Sequence, residues 1–387
     1  MALPTLPKNP VPGDRGGGII RFVAGLVVGG LVVGVAIHSP RRPAVTVADS
    51  KLDPLRTLPK EYVWTEQPAP AFPLPPYAQY LKGMTIALDP GHVGQEDRGG
   101  TWKRGPTGLR EAEVNLRVAQ FLREFLNAAG ASVIMTREVD KPLGLSDGDD
   151  LKDRAAIANR AGADLLLSIH HNGNHDPKPN YSSLFYHLTG DYSRASVCAA
   201  RHLAAGLDEA LRLPSHLACP VLNDRLLFKN GLAVLRETWI PAVLSEASFH
   251  SNPEEEERLR DPVYNRREAY GLFLGLARWA QAGRPEVWLA RPSDGRVRAG
   301  QSVLVAIGDG LSARGGWGAE RLRVVPDSIV VRVDGEEVTH VLDEEARQLR
   351  VTVPAGVSGR VTVFVDFENV LGQHVLHPRL DLDVSRR

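Results

Sequence analysis

Histidines and glutamates at four places in the first two thirds of the chain are candidates for metal chemistry. They are His92, Glu111, the pair His170-His171, and Glu246. Two imidazoles and one carboxylate, with a fourth position left for water, make a catalytic zinc site. Zinc lowers the pKa of water and polarises a carbonyl group, and a second carboxylate that is not a ligand can then move the proton. These residue types predict metal-assisted hydrolysis.

Three of the four places follow short apolar runs that predict buried strands. The strands are Met84–Leu88 before His92, Leu165–Ile169 before His170, and Ala242–Ser245 before Glu246. In open α/β sheets, ligands bind beyond the carboxyl ends of the strands. We therefore expect these side chains to meet at one edge of a sheet, although they are far apart in the sequence.

Glu111 is expected at the same edge, in the first turn of a helix that begins near Arg110. Taken singly, each candidate also has a structural interpretation: a lone His after a strand is often a satisfied polar residue, and Glu111 would complement the helix dipole. Strand alternation sends His170 and His171 to opposite faces, so only one of them can face a metal. The spacing alone leaves that choice open.

The segment from residue 83 to 284 alternates apolar runs with helical periodicity. Further strands are predicted at Ser132–Met135 and helices at Asp153–Ala161 and through Ala269 to Ala280. Strands that are apolar throughout and separated by helices predict a mainly parallel sheet covered by helices on both faces. The fold class of this segment is therefore α/β.

From residue 286 to 387 the helical signal disappears. Runs such as VLVAI, LRVTVPAG and GRVTVFVDFEN alternate apolar and polar residues between Gly, Pro, Asp and Asn. About 100 residues of this kind predict a small all-β sandwich, for which we expect an immunoglobulin-like arrangement.

The N-terminal part reads as three segments that precede the folded units. Residues 1–18 are rich in Pro and Gly, residues 19–38 contain the uncharged run FVAGLVVGGLVVGVAI, and residues 39–82 are rich in Pro. The apolar run approaches the roughly 20 residues that a bilayer needs. With no clear cleavage site before Arg41, it predicts a transmembrane signal anchor rather than a cleaved signal peptide. The Pro-rich linker would act as an extended tether.

Composition excludes some functions. The 46 Lys and Arg residues equal the 46 Asp and Glu residues, so the chain lacks the basic excess of a nucleic-acid-binding protein. Its two cysteines, Cys198 and Cys219, exclude a Cys-rich zinc cluster, and the sequence leaves open whether they pair.

Four stretches resemble the zinc-dependent N-acetylmuramoyl-L-alanine amidases of the bacterial cell wall, and they occur in that family's order. They are IALDPGH (86–92), GLREAEVNL (108–116), DRAAIANRAGADLLLSIHHN (153–172) and VLRETWIPAVLSEASFHSN (234–252). The resemblance covers about 83–284, and the combination is specific although DPGH alone is weak.

The resemblance implies roles for single residues. His92, Glu111 and His170 would bind Zn²⁺, which settles the choice between the paired histidines, and Glu246 would be the catalytic carboxylate. The implied reaction is hydrolysis of the amide between N-acetylmuramic acid and L-alanine in peptidoglycan by a zinc-activated water. A peptidoglycan substrate places the catalytic part outside the cytoplasmic membrane, in the periplasmic part of the cell envelope. Neither the need for a protein activator nor the oligomeric state follows from it.

The chain departs from the family pattern at three places. His171 stands where the family usually has Ala, Ala112-Glu113 replaces a commoner Lys-Asp, and Ala247-Ser248 replaces the usual Thr-Gly. None of these changes removes a ligand, and His171 is a candidate contact for substrate or water.

Two alternatives to the amidase function remain: a zinc peptidase or deacetylase that cuts another wall bond, and a catalytically retired wall-binding protein. The C-terminal sandwich is either a wall-binding module or a packing domain.

Overall fold

Buried strands form the centre of the first folded part. The computed structural model describes residues 72–93, 104–141, 143, 147–188, 191–316 and 318–386. The elements of the first part are β1 (Thr85–Pro90), α1 (Glu111–Ala128), β2 (Ser132–Met135), α2 (Asp147–Ala161), β3 (Leu165–Asn172), β4 (Ser183–Tyr186), α3 (Ser193–Leu211), β5 (Val221–Asn223), α4 (Ala233–Arg236), β6 (Ala242–Phe249), α5 (Pro253–Arg260) and α6 (Pro262–Ala282).

The six strands form one sheet in the order β2-β1-β3-β6-β4-β5. The first four are parallel, with Leu88 opposite Leu167, and Ser168 opposite Leu244. β4 runs antiparallel to β6, and β5 is parallel to β4. The prediction of a mainly parallel sheet is confirmed, and β1, β3 and β6 lie side by side at its centre.

Helices cover both faces of this sheet, as predicted. Ile86, Leu88 and Leu167 pack with α1, α3 and α6 in the larger core. Ala87 and Leu166, which alternate with them, pack with α2 and α4 in a smaller core on the other face. Because both faces are covered, the central strands are apolar throughout.

The second part contains only strands and short 3-10 helices within its described residues. The strands are β7 (Glu286–Arg291), β8 (Arg296–Arg298), β9 (Ser302–Gly308), β10 (Val330–Val333), β11 (Glu336–Glu337), β12 (His340–Asp343), β13 (Gln348–Thr352), β14 (Gly359–Asp366) and β15 (Arg379–Ser385). They form two sheets, β11-β10-β14-β15-β8 and β12-β13-β9-β7. Val305 and Val351 of one sheet share a core with Val331 and Val363 of the other. The all-β prediction is confirmed, whereas the immunoglobulin-like arrangement stays a prediction.

The two parts are joined by polar contacts at α3 and at the end of α6. Asp191 accepts hydrogen bonds from Arg332 and Arg379, each at 2.8 Å. The Asn369 amide donates to the carbonyl oxygen of Ala282 at 3.0 Å.

Cys198 is buried and Cys219 exposed, and both are free thiols.

The structure moves the beginning of the folded part upstream of the predicted boundary. Residues 72–82 were predicted to belong to the linker, but Pro76–Leu81 is a 3-10 helix whose Leu81 is buried in the larger core. Phe72 packs against the ring of Tyr270, with centroids 5.1 Å apart. These residues cover the side of the core formed by α1 and α6. Burial of their apolar side chains is more favourable than the extended backbone conformation that the neighbouring prolines prefer.

No helix in the described part of the chain is both long and apolar enough to cross a membrane. The predicted disordered N-terminus (1–18), the predicted anchor (19–38) and the predicted linker up to residue 71 lie outside the described residues.

Helices α3 and α6 approach each other closely through glycines. A Cβ atom on Gly206 would overlap the backbone oxygen of Gly271 and would lie 2.9 Å from the backbone nitrogen of Gly275. Backbone atoms cannot move aside like the end of a flexible side chain, so this contact requires glycine.

We predict that Gly206→Ala lowers the free energy of unfolding. Overpacking costs about 1–3 kcal/mol, which exceeds the roughly 1 kcal/mol that alanine gains over glycine in a helix. Urea unfolding followed by circular dichroism would measure the change. Gly356→Ala is the control, since no atom lies within 4 Å of a Cβ added there; equal stability of the two variants would contradict the prediction.

Candidate metal centre

Three side chains, from the turn after β1, from α1 and from β3, converge at the carboxyl edge of the sheet. His92 Nε2 lies 3.1 Å from Glu111 Oε2, and His170 Nδ1 lies 3.1 Å from Glu111 Oε1. One potential ligand atom from each residue falls within 4.8 Å of the others. The structure therefore brings together the three residues expected to bind a metal.

His92 reaches this position through an unusual backbone conformation. Its φ is +59°, in the left-handed region that side-chain-bearing residues rarely adopt. The turn after β1 directs the ring toward His170, whose ring centroid is 4.8 Å away. A strained residue held in place by its surroundings is typical of functional sites.

Gly91 is required by the close approach of this turn to β3. A Cβ atom at position 91 would overlap the imidazole ring of His170. The glycine of the DPGH stretch is therefore explained by the space that the His170 ring occupies.

Two buried arginines hold the turn in place. Arg154 donates to Asp89 Oδ1 and to the carbonyl oxygen of Pro90, both at 2.8 Å. Arg137 donates to the same carbonyl oxygen at 2.8 Å and to that of Gly91 at 3.0 Å. These contacts use carbonyl groups that the tight turn leaves without strand partners. Neither arginine could be assigned this role from the sequence alone.

Glu111 is the first residue of α1, and α5 fixes the segment that precedes it. The carboxylate of Glu256 accepts hydrogen bonds from the backbone of Thr107 at 2.8 Å and of Leu109 at 3.0 Å. Gly105 allows this contact, because a Cβ there would overlap the Glu256 side chain. The chain that follows β6 thus positions the start of α1.

Opposing effects set the charge of Glu111, which is 3% exposed. Burial alone would raise the pKa of this carboxyl, but the adjacent His92 and His170 hold its pKa well below the usual range. The group is therefore ionised at neutral pH, as a carboxylate ligand must be.

Glu246 lies beside this cluster on the neighbouring strand. It is opposite His170 in the β3–β6 register and is 4% exposed. Its Oε2 atom makes no hydrogen bond with the described residues. Burial, and then the negative charge of Glu111, raise the pKa of Glu246 well above its usual value. A buried carboxyl with a raised pKa is suited to taking up and releasing a proton near neutral pH.

His171 does not take the place that sequence analysis considered for it. It is 1% exposed and lies on the opposite face of β3, where its ring contacts Asn115 and Glu268 at 2.8 Å each. A direct contact with substrate is therefore wrong for this residue. The only sequence signal for its role was the departure from Ala at this position.

The donor atoms fit a zinc ion. Two nitrogen ligands and one carboxylate form a known catalytic zinc set that leaves one position open. His92 Nε2 and His170 Nδ1 each lie 3.1 Å from a different oxygen of the Glu111 carboxylate, and one ligand atom from each of the three residues falls within 4.8 Å of the others. The site combines three side chains that could hold a metal with the adjacent carboxyl of Glu246.

An α/β sheet with two histidines and a glutamate at its edge is an arrangement found in metal-dependent hydrolases. The family model described as N-acetylmuramoyl-L-alanine amidase matches residues 86–278. The chain is 31% identical over 214 residues to the germination-specific N-acetylmuramoyl-L-alanine amidase of Bacillus subtilis, covering 53% of this chain and 83% of that protein. This chain belongs to the N-acetylmuramoyl-L-alanine amidase family.

Other relatives share the same region. N-acetylmuramoyl-L-alanine amidase LytC of Bacillus subtilis is 33% identical over 193 residues, which are 50% of this chain and 35% of that protein. AmiA of Escherichia coli is 29% identical over 224 residues, which cover 49% of this chain and 74% of that protein.

Solved structures also match this part of the chain. The CwlD amidase from Clostridioides difficile, in complex with the GerS lipoprotein, is 26% identical, covers 51% of this chain and 98% of its own, and has a TM-score of 0.43. The Ami1 amidase from Mycobacterium smegmatis is 24% identical, covers 52% of this chain and 98% of its own, and has a TM-score of 0.45.

The network around Asp89 predicts a loss of stability in acid. Burial would raise the pKa of Asp89, but Arg154, Thr136 and Ser168 together lower it. A carboxyl whose pKa is lowered by folding stabilises the protein at every pH above its pKa in the unfolded chain, which is 3.8 for Asp89. This stabilisation is lost as the pH falls through the lower pKa of the folded state. We expect Asp89→Asn to lower the free energy of unfolding at pH 7 by on the order of 3 kcal/mol.

Urea unfolding from pH 7 to pH 3 would test this prediction. The wild type should lose more stability than Asp89→Asn as the pH falls below about 4. Substitution of the exposed Asp327 by Asn is the control and should leave the pH dependence unchanged. Parallel curves for the wild type and Asp89→Asn would show that Asp89 does not contribute in this way.

Proposed function

We propose that this chain hydrolyses the amide bond between the lactyl group of N-acetylmuramic acid and the L-alanine that begins the stem peptide of peptidoglycan. The observation that carries the proposal is the convergence of His92, Glu111 and His170 beside Glu246, in a chain of the amidase family. The ligands and the proton-handling group of one reaction are thereby close together.

We assign His92, Glu111 and His170 as ligands of Zn²⁺. When bound, the ion would polarise the scissile carbonyl group and lower the pKa of water. Glu111 supplies the negative charge of the ligand set, and the two rings supply neutral nitrogen atoms. The fixed turn at His92 and the contact of Gly91 with His170 hold these atoms in place before a metal binds.

Glu246 is assigned as the group that moves the proton. It accepts a proton from the attacking water as the oxygen forms a bond to the lactyl carbonyl carbon. It then donates that proton to the alanine nitrogen as the C–N bond breaks. The products are a lactyl carboxylate on the glycan and a stem peptide with a free amino group. The buried position of Glu246 supports this assignment, since bulk water does not compete for its proton.

The location follows from the substrate. Peptidoglycan lies in the cell envelope, so we propose that the catalytic part works outside the cytoplasmic membrane and that residues 19–38 anchor it there. The uncharged run FVAGLVVGGLVVGVAI supports the anchor.

The contacts of Asp191 and Asn369 support a C-terminal part that is packed firmly against the catalytic part.

We predict that Glu246→Gln leaves zinc binding intact and lowers kcat by about 10²–10⁴-fold, the usual contribution of general acid-base catalysis. The amide cannot take up and release the proton, but it occupies the same space. Zinc content by atomic absorption and release of stem peptides from purified peptidoglycan would be measured together. Glu254→Gln is the matched control, because that side chain is 85% exposed. A Glu246→Gln variant with full activity would refute the role.

Mass spectrometry of digested muropeptides should identify the bond. The purified chain should release intact stem peptides, a chelator should abolish the release, and added Zn²⁺ should restore it. Only cleavage of the lactyl amide separates an intact peptide from the glycan. Deacetylated glycan, or shortened peptides still attached to it, would instead support a deacetylase or a peptidase. Activity that survives complete metal removal would contradict the assigned ligands.

A further inference from the structure

The space between α1 and α6, directly behind the metal centre, contains a buried polar group. His171 is next to His170 in the chain, but strand alternation turns its ring to the other face of β3. Its side chain and that of Glu268 on α6 are both fully buried. Their neighbours on these helices, such as Val118 and Leu272, are apolar core residues.

Hydrogen bonds connect this group to a proposed metal ligand. Glu268 Oε2 lies 2.8 Å from His171 Nε2, and His171 Nδ1 lies 2.8 Å from Asn115 Oδ1. The Asn115 amide nitrogen donates to Glu111 Oε1 and to the carbonyl oxygen of Gly91, each at 3.2 Å. One amide therefore contacts both Glu111 and the turn that carries His92.

The chemistry of the partners fixes the direction of these bonds. The Gly91 carbonyl and the ionised Glu111 carboxylate can only accept, so Asn115 must direct its NH₂ group toward them. Its oxygen then faces His171, whose Nδ1 must carry a hydrogen atom. If Asn115 flipped, its oxygen would face two other acceptors. The hydrogen atom on His171 Nδ1 makes the observed orientation of the amide the favourable one.

We infer that His171 and Glu268 are positioning residues that hold the Asn115 amide, and through it the Glu111 carboxylate, in the orientation that binds the metal. The inference rests on the proposed metal centre. Glu268 Oε2 accepts a hydrogen bond from His171 Nε2 and so supports the ring from the side opposite Asn115.

The burial of this pair is itself an argument for such a role. A buried ionisable pair is often no more stabilising than apolar residues of similar size. Glu268 Oε1 has no hydrogen-bond partner within the described part of the chain, so the pair is not fully satisfied. Orientation of the Glu111 carboxylate gives a buried polar pair at this place a role that burial alone does not supply.

The test is the zinc affinity of metal-free protein, measured with the full chain by competition with a chromophoric chelator. Replacing a residue behind a metal ligand typically lowers metal affinity by about 10–100-fold, and we expect about 10-fold for His171→Ala. His171→Asn should recover most of the affinity, because its amide nitrogen can occupy the place of Nδ1. Asn115→Ala and the double variant Asn115→Ala/His171→Ala should be equally weak, since His171 acts through Asn115.

Two further variants keep the result interpretable. His171→Ala/Glu268→Leu removes both ionisable groups, so it should fold even if His171→Ala does not, and its affinity should fall by the same factor. His187→Ala is the matched control. His187 Nδ1 lies 2.9 Å from the buried Asp224 Oδ2, and this pair is not part of the network around Asn115. Its thermal stability should fall without a change in zinc affinity.

The inference is overturned if His171→Ala and His171→Ala/Glu268→Leu bind zinc as tightly as the wild type, or if the losses from Asn115→Ala and His171→Ala add. Either result would leave the pair with a structural role only. A wild-type chain that binds no zinc would instead remove the proposed function on which the inference rests.

Discussion

A carboxylate excluded from water must be matched by positive charge or by donated hydrogen bonds, and this requirement at Glu111 organises the catalytic part of the molecule. His92 approaches it from the turn after β1, His170 approaches it from β3, and Asn115 approaches it from its own helix. The turn after β1, the start of α1 and the end of β3 are each fixed so that these groups meet one side chain. Burial, together with the same negative charge, raises the pKa of Glu246, so the state of this neighbouring carboxyl depends on Glu111.

Much of this arrangement could be predicted from the sequence because it depends on periodicities. Parallel strands place their carboxyl ends at one edge, so the positions after Leu88, Ile169 and Ser245 had to be close together. Alternation along β3 also required the two adjacent histidines to face different sides. Which of them faces the metal did not follow from periodicity and came from the family resemblance.

The rest depended on contacts between residues that are distant in the sequence and carry no local signal. Arg137 and Glu256 hold backbone groups of other segments, and the sequence around them resembles an ordinary solvated surface. Strands β4 and β5, which are four and three residues long, were not predicted. Phe72 was assigned to the linker because the neighbouring prolines dominate the pattern, whereas the apolar groove that receives it forms only in the folded protein.

The contact of Gly91 with the His170 ring also restricts how this site can be altered. Any larger residue at position 91 would displace an imidazole on a different strand, so the effect of a substitution would appear at a place remote from it in the gene. A larger residue at position 91 would therefore require a second substitution at position 170. A redesign of this site would have to change the turn after β1 and strand β3 together. The absence of a side chain at position 91 thus restricts which substitutions the site can accept.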